Sequence, residues 1–257
     1  FQLDAGASYY NDEQLYVNPV NCLMYLPDRI DEGCSISLDM PDDYTIASAL
    51  KFDADRKATV KDFHQLADSP FMASGSLIHS FYSVGVYTYH VWFQGDVQPE
   101  MEKILEQFEA FTHKQMEMYG EFPVKEYHFI FQIPNHQFYH GVEHLDSTVI
   151  CLGPADKFMT DEIYKEFLGV SSHELFHSWN IKSIRPKEMF PYDYSKENYT
   201  TLGFVAEGVT TYYGDLMLLR SGVFSWEEYA IELSKYLKRH FDNDGRFHYS
   251  VAESGWD

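Results

Sequence analysis

The sequence predicts an α+β fold, with an N-terminal all-β domain over residues 1–96 followed by a domain of mixed sheet and helices over residues 97–257. Three observations lead there. Short alternating apolar segments, punctuated by turn residues, fill the first 95 positions. The texture changes at Gly95-Asp96, after which apolar residues recur at helical spacing. Strand-like runs nevertheless return between the helical stretches. At 257 residues the chain is long enough for one large domain or two modest ones.

In the first region, CSISLDM and SLIHSFYSVGVYTYHVWF read as strands, and Pro41-Asp42-Asp43 and Asp68-Ser69-Pro70 as turns. Over 99–119, Met101, Ile104, Leu105, Phe108, Phe111 and Met116 share a helical face, and Gly120 closes the run. Residues 125–133 form a strand stopped by Pro134, and 147–152 another after a polar loop. A second helix spans 161–181, with Pro186 barring much extension. A third spans 202–220, with Gly222 after its end. Ser225 and Glu228 make a capping box that opens a fourth, 226–240.

Acidic residues outnumber basic ones 40 to 19, giving a net charge of −21. Such a chain repels nucleic acid phosphates and anionic membranes, so neither is expected as a partner. No apolar run reaches the length of a membrane span. Cys22, Cys34 and Cys151 have no metal-binding pair spacing and allow at most one disulfide; free buried thiols are expected. FQLDAGASYY lacks the basic start and apolar stretch of a signal peptide, but the chain opens without Met, so a removed leader stays open. Cytoplasmic, periplasmic and secreted locations all stay open, as does the oligomeric state.

The most informative segment is Ser171-Ser172-His173-Glu174-Leu175-Phe176-His177. Residues four apart on a helix project from nearly one face, so His173 and His177 can offer imidazole nitrogens to one ion. Glu174 lies beside them, close enough to work on water at that ion without being a ligand. The flanks Phe167, Leu168, Val170, Leu175, Phe176 and Trp179 are apolar, and imidazoles and a carboxylate there are costly without a partner. Two histidines under-hold a metal, and Glu207, alone among Gly203-Phe204-Val205-Ala206 and Gly208, is the candidate third ligand. The alternative for Glu207 is a salt bridge with Arg185 or Lys182. Asp215 is the weaker ligand candidate.

HELFHSWNIKSIRP (173–186) followed by GFVAEGVTTYY (203–213) resembles the glycyl aminopeptidase family of zinc metallopeptidases, within the wider thermolysin-like group. The likeness extends to ISLDMPDDYTIASAL and HQLADSPFMASG in the first region, which look like the family's N-terminal β domain, and to HGVEHLDSTVI (140–150). It implies a thermolysin-like catalytic domain over 97–257, with Zn2+ held by His173, His177 and Glu207 and Glu174 as general base and acid. It further implies that Glu143, in a Gly-x-Glu-His segment with Gly141 and His144, meets the free α-amino group of a peptide. Residues 148–151, beginning at Thr148, would form an edge strand along which that peptide lies. Thr211, Tyr212 and Asn180 fall at positions suited to supporting the ligands or bordering the cleft.

The resemblance also implies more helices and a PDZ-like domain beyond Asp257, so the chain reads as C-terminally truncated. His248 and Tyr249 are the conceivable oxyanion stabilisers within its length. The functional expectation is a zinc-dependent aminopeptidase acting on peptides with a free N-terminus, small residues (glycine, alanine) being implied by the likeness. A thermolysin-type endopeptidase and a zinc-retaining peptide-binding module without turnover remain alternatives.

Overall fold

The computed structural model describes residues 3–256. It divides into two compact units: one from the chain up to Leu105 together with Val124–Phe167, the other from Glu106–Pro123 and from Leu168 onward. The first contains β1 (Tyr9–Tyr10), β2 (Gln14–Val17), α1 (Pro19–Cys22), β3 (Cys34–Ser37), β4 (Thr45–Ser48), β5 (Lys57–Val60), α2 (Phe63–Ala67), β6 (Phe71–Ser74), β7 (Ile78–Val84) and β8 (Tyr87–Gly95). Helix α3 (Met101–Tyr119) starts in this unit and ends in the second. After β9 (Glu126–Ile133), β10 (Phe138–Glu143) and β11 (Ser147–Gly153), helix α4 (Asp161–His177) does the same.

The architecture has the two parts the sequence predicted, an all-β region and then a mixed sheet with helices. The first sheet has the order β1-β2-β6-β4, and β3 pairs with β5. The second has the order β10-β11-β9-β8-β7, with β8, β9 and β11 parallel and both outer strands antiparallel. Parallel strands are covered on both faces and read as near-continuous apolar runs. That is why β11 is wholly buried and β9 nearly so. Because β8 pairs with β9 and β7 with β8, this sheet runs across position 96.

Side chains alternate across the sheet and create two cores. On one face Trp92, Ile130, Val149 and Cys151 pack with Tyr16, Ala47 and Met72 of the first sheet. On the other, Phe93, Phe131, Phe158 and Phe167 stack or cross with centroids 4.8–6.0 Å apart. Such pairs add about 0.5–1.5 kcal/mol each beyond area burial.

Two expectations need correction. The stretch before Ser147 is no plain loop: Phe138–Glu143 is a strand, with Phe138 and Val142 packed on the core. It lies outside β11, so 148–151 is interior and β10 is the edge. Only two inward-facing apolar residues, Phe138 and Val142, mark β10, too weak an alternation to read. The second helix also stops at His177 rather than 181, because the chain after it tightens into turns, with Ser178 N–H donating to the Leu175 carbonyl.

In the second unit, a π-helical turn, Phe204–Val209, leads into α5 (Thr210–Arg220). Helix α6 (Trp226–Asp242) opens with the expected Ser225/Glu228 capping box. Phe176 stacks on Tyr213, and Trp179 on Tyr119 with its indole N–H donating to the Glu121 carbonyl at 2.8 Å. Gly120 closes α3 at φ +87°, a conformation that suits glycine. All three cysteines are free, though only Cys151 is buried. Among the described residues no helix is long and apolar enough to cross a membrane.

Candidate metal centre

The centre is assembled within the second unit, from the end of α4 and the start of the π turn. His177 is almost wholly buried and His173 partly so. The His177 Nδ1 lies 2.8 Å from the Asn180 carbonyl. A carbonyl only accepts, so Nδ1 carries the proton and Nε2 is left with its lone pair. On His173, Nδ1 sits 3.4 Å from the Thr211 hydroxyl, and Nε2 faces the Nε2 of His177 at 3.0 Å.

Glu207 completes the group. Its Oε2 lies 3.4 Å from His173 Nε2 and 3.6 Å from His177 Nε2. Atoms bound tetrahedrally to zinc at 2.0–2.1 Å stand about 3.3 Å apart, close to all three separations. Lone pairs facing one another at this range need a cation among them, so the donor set fits a zinc ion. The Glu207 side chain remains 63% exposed while that of His177 is 2% exposed, which leaves one side of the cluster open to a reactant. Glu174, next to His173 on the helix, is buried.

Residues behind the ligands set this geometry. The Asn180 amide donates to the Val205 carbonyl at 2.9 Å and to the Thr210 hydroxyl at 3.0 Å, and Thr210 donates to the Ala206 carbonyl at 2.6 Å. One residue thereby ties the His177 ring to the turn that carries Glu207. On the other side, Ser172 donates to the Gly214 carbonyl at 2.7 Å, and Gln115 to the Ser172 carbonyl at 2.8 Å. A Cβ on Gly214 would come within 3.1 Å of the His173 Cα, so glycine is what lets α5 approach α4 this closely.

Three of these supports, Thr210, Gly214 and Gln115, escaped the sequence reading. A glycine inside an otherwise helical run was the one available signal, for Gly214. The π turn at Glu207 had none, although such turns recur at functional sites. The Glu207 carboxylate lies against the two imidazoles. Tyr212 is half exposed. His248 and Tyr249 follow a short 3-10 turn, Asp244–Phe247, and are exposed.

The remaining expected residues belong to the first unit. Gly141 and Glu143 lie on edge strand β10, paired with Ile150 and Thr148. His144 is buried, its Nδ1 3.2 Å from Asp68 Oδ1, so its partner is an aspartate from another segment rather than Glu143. Thr148 is fully buried and donates its hydroxyl to the Val142 carbonyl at 3.0 Å.

Residues 1–75 match the M61 N-terminal domain, and residues 166–257 match M61 glycyl aminopeptidase. Among solved structures, an aminopeptidase N family protein from Idiomarina loihiensis aligns at TM-score 0.92 and 24% identity, over 100% of this chain and 46% of that one. A two-domain M1 zinc metallopeptidase, solved as a mutant bound to L-tryptophan, aligns at TM-score 0.51 and 14% identity, over 91% of this chain and 51% of that one. At these identities the likeness is one of fold, and the chain spans about half the length of the solved chains. No curated protein matches it. With two domains of one family matched in order along more than half its length, and His173, His177 and Glu207 inside the second match, this chain belongs to the M61 glycyl aminopeptidase family.

Proposed function

We propose that the chain carries the zinc centre of an aminopeptidase that hydrolyses the first peptide bond of peptides, with glycine and alanine preferred at the N-terminus. The observation that supports this most is the convergence of His173 Nε2, His177 Nε2 and Glu207 Oε2 at the spacing of ligands to one ion. Zinc, when bound, would polarise the scissile carbonyl and bring the pKa of water at the site to about 7. Glu174 takes the proton of the attacking water and delivers it to the departing amine, as general base and then acid. Asn180 and Thr211 keep the imidazoles turned with Nε2 inward.

Glu143 pairs with the substrate's α-ammonium, which counts off one residue and makes the enzyme an aminopeptidase. The family resemblance supports that role, as does its place at the end of the edge strand β10, where an extended peptide can add to a sheet. The small-residue preference rests on the resemblance alone.

The test is hydrolysis of matched peptides with free and acetylated N-termini, with Gly, Ala or Leu first. Cleavage of the free Gly and Ala peptides alone is expected. Equal cleavage of free and acetylated peptides would remove the anchoring role of Glu143 and favour an endopeptidase. Glu174→Gln should lower turnover roughly 100- to 10,000-fold with zinc retained. Wild-type turnover in that variant would rule out Glu174 as the base.

A further inference from the structure

A second group of metal-ligating side chains lies in the first unit, on one face of the five-stranded sheet. His90 on β8 and His128 on β9 are register partners, and Glu126 lies two residues before His128 on the same face. Their rings stack at 4.5 Å between centroids. One donor atom from each of His90, Glu126 and His128 falls within 4.8 Å of the others, and His90 Nε2 is 3.9 Å from Glu126 Oε2.

The environment resembles a prepared site more than a chance surface cluster. His128 is 5% exposed, and its Nε2 is buried without a hydrogen-bond partner. Its Nδ1 accepts from the Trp92 indole N–H at 3.1 Å. His90 Nδ1 is 3.0 Å from His79 Nε2, and with that proton on Nδ1 the His90 Nε2 presents a lone pair toward Glu126. His79 stacks on Trp92 at 3.7 Å, which fixes it as the support for His90. Burial holds both His90 and His128 below the ordinary imidazole range, so they remain neutral and able to ligate. Glu126 is ion-paired with Lys51, so a cation already sits on this carboxylate.

We propose that His90, Glu126 and His128 form a second site for a divalent transition ion of the zinc type, separate from the His173 centre and bridging neighbouring strands β8 and β9. Two imidazoles and one carboxylate suit such an ion. The donor atoms stand farther apart than ligands of a bound ion, so binding draws them together. Coordination at His128 Nε2 shifts the ring proton to Nδ1 and releases the Trp92 N–H, with no net proton lost. The Lys51 ammonium leaves Glu126 as the ion arrives.

The test is zinc content and affinity by equilibrium dialysis on the whole chain, in a His173→Ala/His177→Ala background that silences the first centre. That variant should still hold one zinc ion. Adding His90→Ala or Glu126→Gln should release it, with circular dichroism unchanged, and His128→Asn gives an independent third deletion. Lys51→Met removes the competing cation and should tighten zinc binding several-fold. The proposal is overturned if the background variant binds no zinc, if the ion survives both the His90 and Glu126 substitutions, or if Lys51→Met leaves the affinity unchanged or weaker. Loss of the first centre alone would leave the ion at His90 in place, so the two sites fail independently.

Discussion

The two histidine clusters are built by different rules. His173 and His177 stand one helical turn apart on α4, and only Glu207 is brought in from a distance. His90 and His128 are 38 positions apart and meet because β8 and β9 pair in parallel. A helix writes its geometry into local spacing. A sheet writes it into register, which a single strand does not reveal. The helical cluster has its donors at bonding separation, held by Asn180, Thr211 and the Gly214 approach; the sheet cluster is looser and shares its carboxylate with Lys51.

The sharpest way to break this contrast is to delete a ligand from the helical centre. Glu207→Gln or His177→Ala should abolish both hydrolysis and zinc retention there, read by metal analysis and peptide turnover, while the ion at His90 stays. Next in size, Asn180→Ala should weaken zinc at the helical centre about 10- to 100-fold, because it frees the Glu207 turn from the His177 segment. Gly214→Ala should act in the same direction by pushing α5 off the His173 turn. An equal loss at both clusters in either variant would mean that they are coupled rather than separate.

A further expected effect, on stability rather than on metal binding, lies outside both clusters. Burial, with Glu232 adding to it, pushes the Asp215 carboxyl up to about 7. Its folded pKa exceeds its unfolded value of 3.8, so the folded chain binds the extra proton between them. Stability from this group therefore falls as pH rises from about 4 to 7, by up to about 1.4 kcal/mol per pH unit. Asp215→Asn should flatten that slope in urea unfolding measured across this range. A slope unchanged by the substitution would assign it to other groups.

Legibility followed the same division. The His-Glu-x-x-His spacing brought out His173, Glu174 and His177 as candidates at once, and the capping box at Ser225 placed the start of α6 correctly. Glu207 was legible through its apolar company and through the family resemblance of its segment. Asn180 could be flagged but not given its task, because the link from its amide to Val205 and Thr210 depends on a turn beyond α4. Strand β10 was missed because Phe138 and Val142 are its only inward apolar residues, and the interior place of β11 was lost with it. The sheet cluster was invisible, since Trp92, His90 and His128 read as ordinary residues of buried strands.

The central claim is that one ion is held by two histidines from α4 and a glutamate from the following π turn. Anomalous diffraction at the zinc edge, on crystals equilibrated with zinc, tests it most directly. The account predicts a peak about 2.0–2.2 Å from His173 Nε2, His177 Nε2 and a Glu207 carboxylate oxygen. No density at that point, or Glu207 turned away from the imidazoles with zinc present, would contradict it.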